Sequence, residues 1–402
     1  MNLLPDAEWR RWPGLVRTVA ALSADGGAVR YVGGAVRDTL RGGMVADVDL
    51  ATPLLPADVV ARLEAAGIKA VPTGIAHGTV TAVSDGRAFE VTTLRRDVAT
   101  DGRRATVAFA DDWQEDAARR DFTINALYAD PASGAIFDWF GGAADLAAGV
   151  VRFIGDPVQR IAEDHLRILR YYRFRARFGS GAQDPASHAA VVAARYSLRT
   201  LSRERVADEL MKLLGLASPL AVVRQMAEDG VLAEVLPEAD AAAADRLGAL
   251  IANEIVAGAA VNGLRRLAAV LPSPVAADAV AARLRLSKRQ RERLMALTGG
   301  RETGMALPVR HLAHRIGIDA ARDCWLLSGS AADVIRMRAE LDGWELPRFP
   351  VKGGMLVARG VDVGPDVARL LRLIEERWVA ADFPQGAGLA ALVDQALREA
   401  RQ

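Results

Sequence analysis

Cysteine is almost absent. The one copy in 402 residues, Cys324, excludes an intrachain disulfide and fits a reducing compartment. An excess of charge of either sign is lacking too: Lys and Arg total 51 against 50 Asp and Glu, a net of +1. Overall charge therefore announces no polyanionic partner, and any basic footprint has to come from local clustering. No apolar run is long enough to span a bilayer. The opening MNLLPDAEWRRW places acids and tryptophans where a secretory leader would carry its apolar core. Together these absences predict a protein with no membrane partner and a cytoplasmic location. Histidine is sparse as well. No second histidine or cysteine stands at metal-ligand spacing from His77, which reads as a turn or strand-edge residue rather than a ligand. What the chain has in quantity is hydrophobic residues, 51% of the total, enough to bury sizeable cores. At this length, two to four domains are expected.

The stretch from Tyr31 to Thr52, YVGGAVRDTLRGGMVADVDLAT, organises the rest. A short β-prone run enters Gly33-Gly34, and Ala35-Val36-Arg37-Asp38 follows at once. That pattern predicts a strand, a tight turn and a helix. Such a turn lets backbone N–H groups approach a phosphate, and the helix N-terminus adds partial positive charge. Arg37, in the first turn, is placed to reach the same anion. Farther on, Val45-Ala46-Asp47-Val48-Asp49-Leu50 alternates apolar and acidic residues. Read as a strand, it projects Asp47 and Asp49 from one face toward the glycine turn. Adjacent carboxylates repel unless a proton or cation intervenes, and hard oxygen ligands beside a phosphate site favour Mg²⁺. A calcium loop is excluded because Thr52 stands where its sharp-turn glycine belongs.

Beyond this stretch, Pro56 to Gly67 reads as a helix with a glycine stop. Runs at 69–71, 78–83 and 89–94 read as strands, with Asp85-Gly86 as a hairpin turn. The segment from Arg95 to Glu115 is polar and reads as an exposed, mobile loop. Glu90, on a predicted strand, is either a third carboxylate for the metal site or a solvated strand position, and spacing leaves both open. Asp116 to Leu127, DAARRDFTINAL, suits i,i+3 and i,i+4 pairs between Asp116 and Arg119 or Arg120. It equally suits a triphosphate clamp, since guanidinium binds phosphate bidentately. From Val158 to Phe178 the spacing predicts an amphipathic helix with Asp164, Arg167, Arg170 and Arg173 along one drifting stripe, the arginines outnumbering the acids available to pair with them. Arg205, Glu209 and Lys212 read as an ordinary solvated face of the helix at 202–214. After Ala217 the chain becomes alanine- and leucine-rich with helical periods. Basic clusters at Arg285–Arg293 and at Arg336 and Arg338 suit solvated faces or phosphate contacts to RNA.

The glycine turn followed by the DVD run resembles motif A of the nucleotidyltransferase superfamily that includes tRNA CCA-adding enzymes and bacterial poly(A) polymerases. Glu90 in EVTT, followed by an arginine, is similar to that family's later acidic strand, which makes Glu90 a metal ligand with Asp47 and Asp49. The string RRDFTINA resembles the family's RRDFTxNA motif nearly letter for letter. By that resemblance Arg120, with Asp121, Asn125, Gly33, Gly34 and Arg37, serves nucleotide binding. Glu163, Asp164 and Arg167 match its nucleotide-selecting EDxxR pattern, with Arg170 and Arg173 as further nucleotide contacts. The resemblance implies an α/β (α+β) catalytic domain built on a small mixed sheet, followed by an all-helical C-terminal half. The expected division is a catalytic head at 1–152, a helical neck at 153–215, and a helical body and tail at 216–402 that bind RNA. The implied activity is two-metal addition of CCA to tRNA from CTP and ATP. The stretch Ala70 to Gly78 lacks the arginine-rich signature of the family's poly(A) polymerases, which favours CCA addition over that alternative. Addition of CC alone or A alone is a further alternative. A non-catalytic RNA-binding scaffold is disfavoured, because a dead site has no reason to keep Asp47 beside Asp49.

Overall fold

The computed structural model describes residues 3–75, 78–101 and 104–400; His77 and Gly102 lie outside them. Contact density divides the chain after Val235 into two compact units.

The first unit is built on a mixed sheet. In chain order come α1 (Pro13–Ser23), β1 (Arg30–Val32), α2 (Gly34–Leu40), β2 (Asp49–Thr52), α3 (Pro56–Ala65), β3 (Lys69–Gly74), β4 (Thr79–Ser84) and β5 (Arg87–Thr93). There follow β6 (Arg95–Asp101), β7 (Arg104–Phe109), α4 (Trp113–Ala118), β8 (Tyr128–Ala129), β9 (Ile136–Phe137) and α5 (Gly142–Ala148). Seven strands run in the order β3-β4-β5-β2-β1-β8-β9. Only β2 and β5 pair in parallel; the remaining pairs are antiparallel. The alternation along β4 and β5 puts Val80, Ala82, Phe89 and Val91 on one face, where they meet Leu15 and Leu22 of α1 and Val59 and Leu63 of α3. Leu15, Leu22 and Leu63 are fully buried, so truncating any of them to alanine costs about 2–5 kcal/mol. Asp85 and Gly86 both take positive φ, 49° and 73°, as a two-residue hairpin of this kind demands.

Two local readings change. The strand after the glycine turn begins at Asp49 rather than Val45, so Asp47 precedes the ladder. The segment read as a loop from Arg95 onward is instead a β-hairpin, β6 paired with β7. Backbone pairing within a hairpin needs no buried face of its own, which is why a polar composition concealed it.

Four helices carry the chain onward: α6 (Pro157–Glu163), α7 (Arg167–Phe178), α8 (Pro185–Ala193) and α9 (Arg203–Leu214). The single helix expected over 158–178 is therefore two. The break falls at Asp164, whose backbone is extended (φ −154°, ψ 105°) and whose carboxylate accepts the Leu166 N–H at 3.1 Å. A short acidic side chain that bonds its own backbone competes with helix continuation. Phe122, Phe153, Tyr171 and Phe174 stack into one aromatic layer between α7 and the preceding segment.

The second unit is helical throughout its described residues. Among its described residues one hydrophobic core gathers around Leu312, Trp325 and Met337 and another around Leu356, Ile374 and Leu397. Glu254, buried, binds Arg265 at 2.7 Å and Arg266 at 2.8 Å. In the basic clusters, Arg291 pairs with Asp278, Arg336 with Asp333 and Arg338 with Asp342. No helix of the described residues is long and apolar enough to cross a membrane.

Candidate active site

The site starts from a backbone constraint. Gly33 ends β1 with φ 64°, a conformation that glycine takes without a Cβ penalty. Its N–H donates to Leu127 O at 3.0 Å, which ties the turn to β8. A Cβ at Gly33 would lie 3.5 Å from Arg120 Nη1, so the turn and that guanidinium face each other directly. Arg37, buried on α2, donates to Asp38 at 2.8 Å and to Asn125 Oδ1 and lies against Phe178, 4.3 Å from the ring centre.

Asp49 opens β2 in register with Glu90 of β5. Paired residues of a parallel ladder share a sheet face, so the two carboxylates project together. Desolvation pushes the Asp49 carboxyl above the ordinary range. The charge of Glu90 adds to this, Arg120 pulls the other way, and Asp47 raises it further. Its outer edge remains exposed, as do Asp47 and Glu90. Among the described residues no three acidic, histidine or cysteine side chains form a ready-made metal cage. What stands here is a set of hard carboxylate oxygens, one of them raised by desolvation and then by its acidic neighbours. That donor set fits a divalent ion completed by substrate phosphates, the usual arrangement for small hard cations.

Arg119 and Arg120 make a second wall, held from behind by Asp116. Asp116, 1% exposed, binds Arg119 at 2.9 Å and Arg120 at 3.2 Å, so the paired reading of this segment holds. Arg120 also donates through Nε to the Tyr128 hydroxyl at 3.0 Å. Asp121 is spent inside the protein. One of its oxygens accepts from the Phe122 N–H and Asn125, the other from Arg170 Nε at 2.7 Å. Burial raises the Asp121 carboxyl, but Arg170 and Asn125 outweigh it and hold it below its ordinary value.

The third wall comes from the helical segment, and it corrects the picture of unpaired arginines. Arg167 binds Glu163 at 2.6 Å, Arg170 binds Asp121, and Arg173 binds Glu209 at 2.6 Å. Glu209 is 4% exposed, not part of a solvated face. Asp164 is held by Arg205 at 2.7 Å, not by Arg167.

These walls line an open cavity of about 470 Å³. Gly33, Gly34, Arg37, Asp49, Arg120, Asp121, Asn125, Asp164, Arg167 and Arg170 all line it. Asp47, Glu90, Glu163 and Arg173 are not among its lining residues. Arg95, Arg119, Leu166, Phe174 and Arg205 line it as well; of these, the sequence placed Arg119 in the paired or clamping segment and Arg205 on a solvated helix face, and gave the others no site role. For Arg119 the neighbouring arginine of RRDF was the available signal; for Arg205 none was local.

A glycine turn, an acidic strand start, an arginine clamp and an arginine-lined helix around one cavity define a nucleotidyltransferase head joined to a helical segment. Residues 29–152 match the family model of the poly A polymerase head domain. Residues 184–243 match that of the probable RNA and SrmB-binding site of polymerase A. The Mus musculus protein named CCA tRNA nucleotidyltransferase 1, mitochondrial, is 34% identical over 369 residues, 88% of this chain and 83% of its own length. A CCA-adding enzyme of Geobacillus stearothermophilus is 39% identical over 207 residues, 50% of this chain and 49% of its own. The structure of the Bacillus stearothermophilus CCA-adding enzyme in complex with CTP superposes with a TM-score of 0.76 at 27% identity, covering 96% of this chain and 97% of that one. A Thermotoga maritima CCA-adding enzyme complexed with tRNA gives 0.74 at 20% identity, covering 99% and 100%, a likeness of fold. The chain belongs to the CCA tRNA nucleotidyltransferase family.

Proposed function

We infer that this protein completes the 3′ end of tRNA, adding CCA from CTP and ATP without a nucleic-acid template and releasing pyrophosphate. The observation that carries this is the similarity, 34% identity over 88% of this chain, to a CCA tRNA nucleotidyltransferase, together with one cavity uniting Gly33, Asp49, Arg120, Asp164 and Arg167. Residues 1–152 form the catalytic head, 153–215 the nucleotide-selecting neck, and 216–402 the helical body and tail that grip tRNA.

Asp47, Asp49 and Glu90 are the residues that would hold Mg²⁺. When bound, the two ions lower the pKa of the primer 3′-OH and neutralise the leaving pyrophosphate. Gly34, Arg37 and Arg120 bind and orient the triphosphate, with Arg120 Nη1 directed at the glycine turn. Asp121 and Asn125, which line the same cavity, bind the nucleotide and also orient Arg170 and Arg37. Asp164 and Arg167 read the base, Glu163 aligns Arg167, and Arg173 is locked to Glu209 behind them.

A poly(A) polymerase would share the head and extend any RNA with ATP. Assays with one nucleotide at a time separate the readings. Two C residues from CTP alone, followed by one A when ATP is supplied, support CCA addition; long A tracts from ATP alone support the alternative. A cytoplasmic location rests on the single cysteine, and fractionation tests it against the mitochondrial location in the name of the mouse relative.

A further inference from the structure

Tyr128 stands where the two phosphate-facing parts of the site meet, and no role assigned above uses it. It is fully buried. Its backbone belongs to β8, paired with β1 through Val32 and Tyr128, and the preceding Leu127 carbonyl accepts the Gly33 N–H at 3.0 Å. The strand that carries Tyr128 thus also sets the glycine turn. On the side-chain end, the phenol donates to Asp116 Oδ2 at 2.5 Å and accepts from Arg120 Nε at 3.0 Å. Trp113 and Trp139 stand edge-on to the ring with centroids 5.8 and 5.6 Å away, which fixes where the hydroxyl points.

Asp116 completes the frame. Its Oδ1 accepts from Arg119 Nε at 2.9 Å and from the Arg95 backbone N–H at 3.3 Å; its Oδ2 also accepts from Arg120 Nη2 at 3.2 Å. Two of the three Arg120 nitrogens are therefore committed within the protein. A guanidinium is planar, so anchoring Nε and Nη2 determines its plane and the direction of Nη1. That remaining nitrogen lies beside Gly33, 3.5 Å from where a Cβ would stand.

We propose that Tyr128 is a positioning residue for the triphosphate: its hydroxyl, with Asp116, aims Arg120 Nη1 at the phosphates above the glycine turn. The proposal rests on the reading of Arg120 as a phosphate clamp. A ring needed for packing alone would work equally well as phenylalanine. A ring needed to aim Arg120 would not, because Nε would lose its acceptor and the fork one of its two anchors.

Tyr128→Phe keeps the ring and β8 pairing and removes only the oxygen. In the full chain, dissociation constants for CTP, ATP, CMP and AMP are measured by titration calorimetry. CTP and ATP should each weaken by roughly tenfold, the low end of what losing one charge-assisted hydrogen bond produces, while CMP and AMP stay within about twofold because they lack the β- and γ-phosphates. The double variant Tyr128→Phe/Arg120→Ala should bind CTP no more weakly than Arg120→Ala alone. CTP binding within about twofold of wild type, equal losses for CMP and CTP, or additive losses in the double variant would each overturn the proposal. If Arg120→Ala itself leaves the CTP-to-CMP ratio unchanged, the clamp reading fails instead. Should Tyr128→Phe not fold, Asp116→Asn loosens the same fork from its other anchor, and an unchanged CTP-to-CMP ratio there overturns the proposal equally.

Discussion

Asp164 is gripped by Arg205, 41 positions away, through an Nη2–Oδ2 contact of 2.7 Å. The other carboxylate oxygen is occupied by the Leu166 N–H, so this acid enters the cavity already oriented. Cytosine and adenine both offer an exocyclic amino donor beside a ring-nitrogen acceptor; uracil and guanine invert the pair. A carboxylate only accepts and a guanidinium only donates. In the proposed base-reading role, Asp164 with Arg167 would satisfy C or A, whereas U or G would set like against like.

Asp164→Ala is expected to reduce CTP and ATP use and to raise relative UTP misincorporation by about ten- to a hundredfold, the worth of one charge-assisted hydrogen bond of roughly 1.5–3 kcal/mol. Arg205→Ala should relax discrimination in the same direction but less, since the acid survives and loses only its anchor. Single-turnover incorporation of all four nucleotides checks both. Wild-type rejection of UTP and GTP by Asp164→Ala would make this acid structural.

On the proposed reading, Asp49, in register with Glu90, serves metal binding rather than RNA grip. Asp49→Ala and Asp47→Ala should abolish incorporation while tRNA affinity, read by gel shift, stays nearly unchanged. Retention of more than a few per cent of the wild-type rate, a barrier change below ~2 kcal/mol, contradicts the assignment. Glu90→Gln tests the third ligand: a rate recovered by raising the Mg²⁺ concentration is the expected signature of a weakened ion site.

Acid stability should depend on Asp116. Burial pushes its carboxyl up, but Arg120, Arg119 and the Tyr128 hydroxyl hold it at about 2, against about 3.9 in an unfolded chain. The folded value is the lower one, so the ionised form stabilises the fold fully above about pH 4, and that contribution fades as the pH falls toward 2. The difference corresponds to roughly 2 kcal/mol. Urea unfolding of wild type and Asp116→Asn between pH 6 and pH 3 checks this. The wild-type advantage should shrink as the solution becomes more acidic; a constant gap would contradict it.

Features written in local chemistry were legible in the chain: the strand ending at Gly33, the Asp85-Gly86 hairpin, the helix closed at Gly67, and the RRDFTINA string. What was hidden depends on partners distant in sequence. Glu209 looks solvated until Arg173, 36 residues earlier, is folded against it. The helix break at Asp164 needs knowledge of a side chain bonding its own backbone, which helical spacing of the flanking residues masks. The β6–β7 hairpin carries only a short alternation, Ala105, Val107 and Phe109, set among arginines and aspartates that read as a loop. Tyr128 reads as one more core aromatic, because nothing in the sequence says that its hydroxyl meets Asp116 and Arg120 together.

A CCA-adding enzyme completes tRNA from two nucleotides in fixed order. Incubating the full chain with Mg²⁺, CTP, ATP and tRNA lacking its last three residues, then sequencing the product 3′ ends, tests it most directly. Termini of CCA with no further extension are expected, and none of this product from the Asp49→Ala variant. Termini ending in CC alone, in A alone, or in runs of A would contradict it.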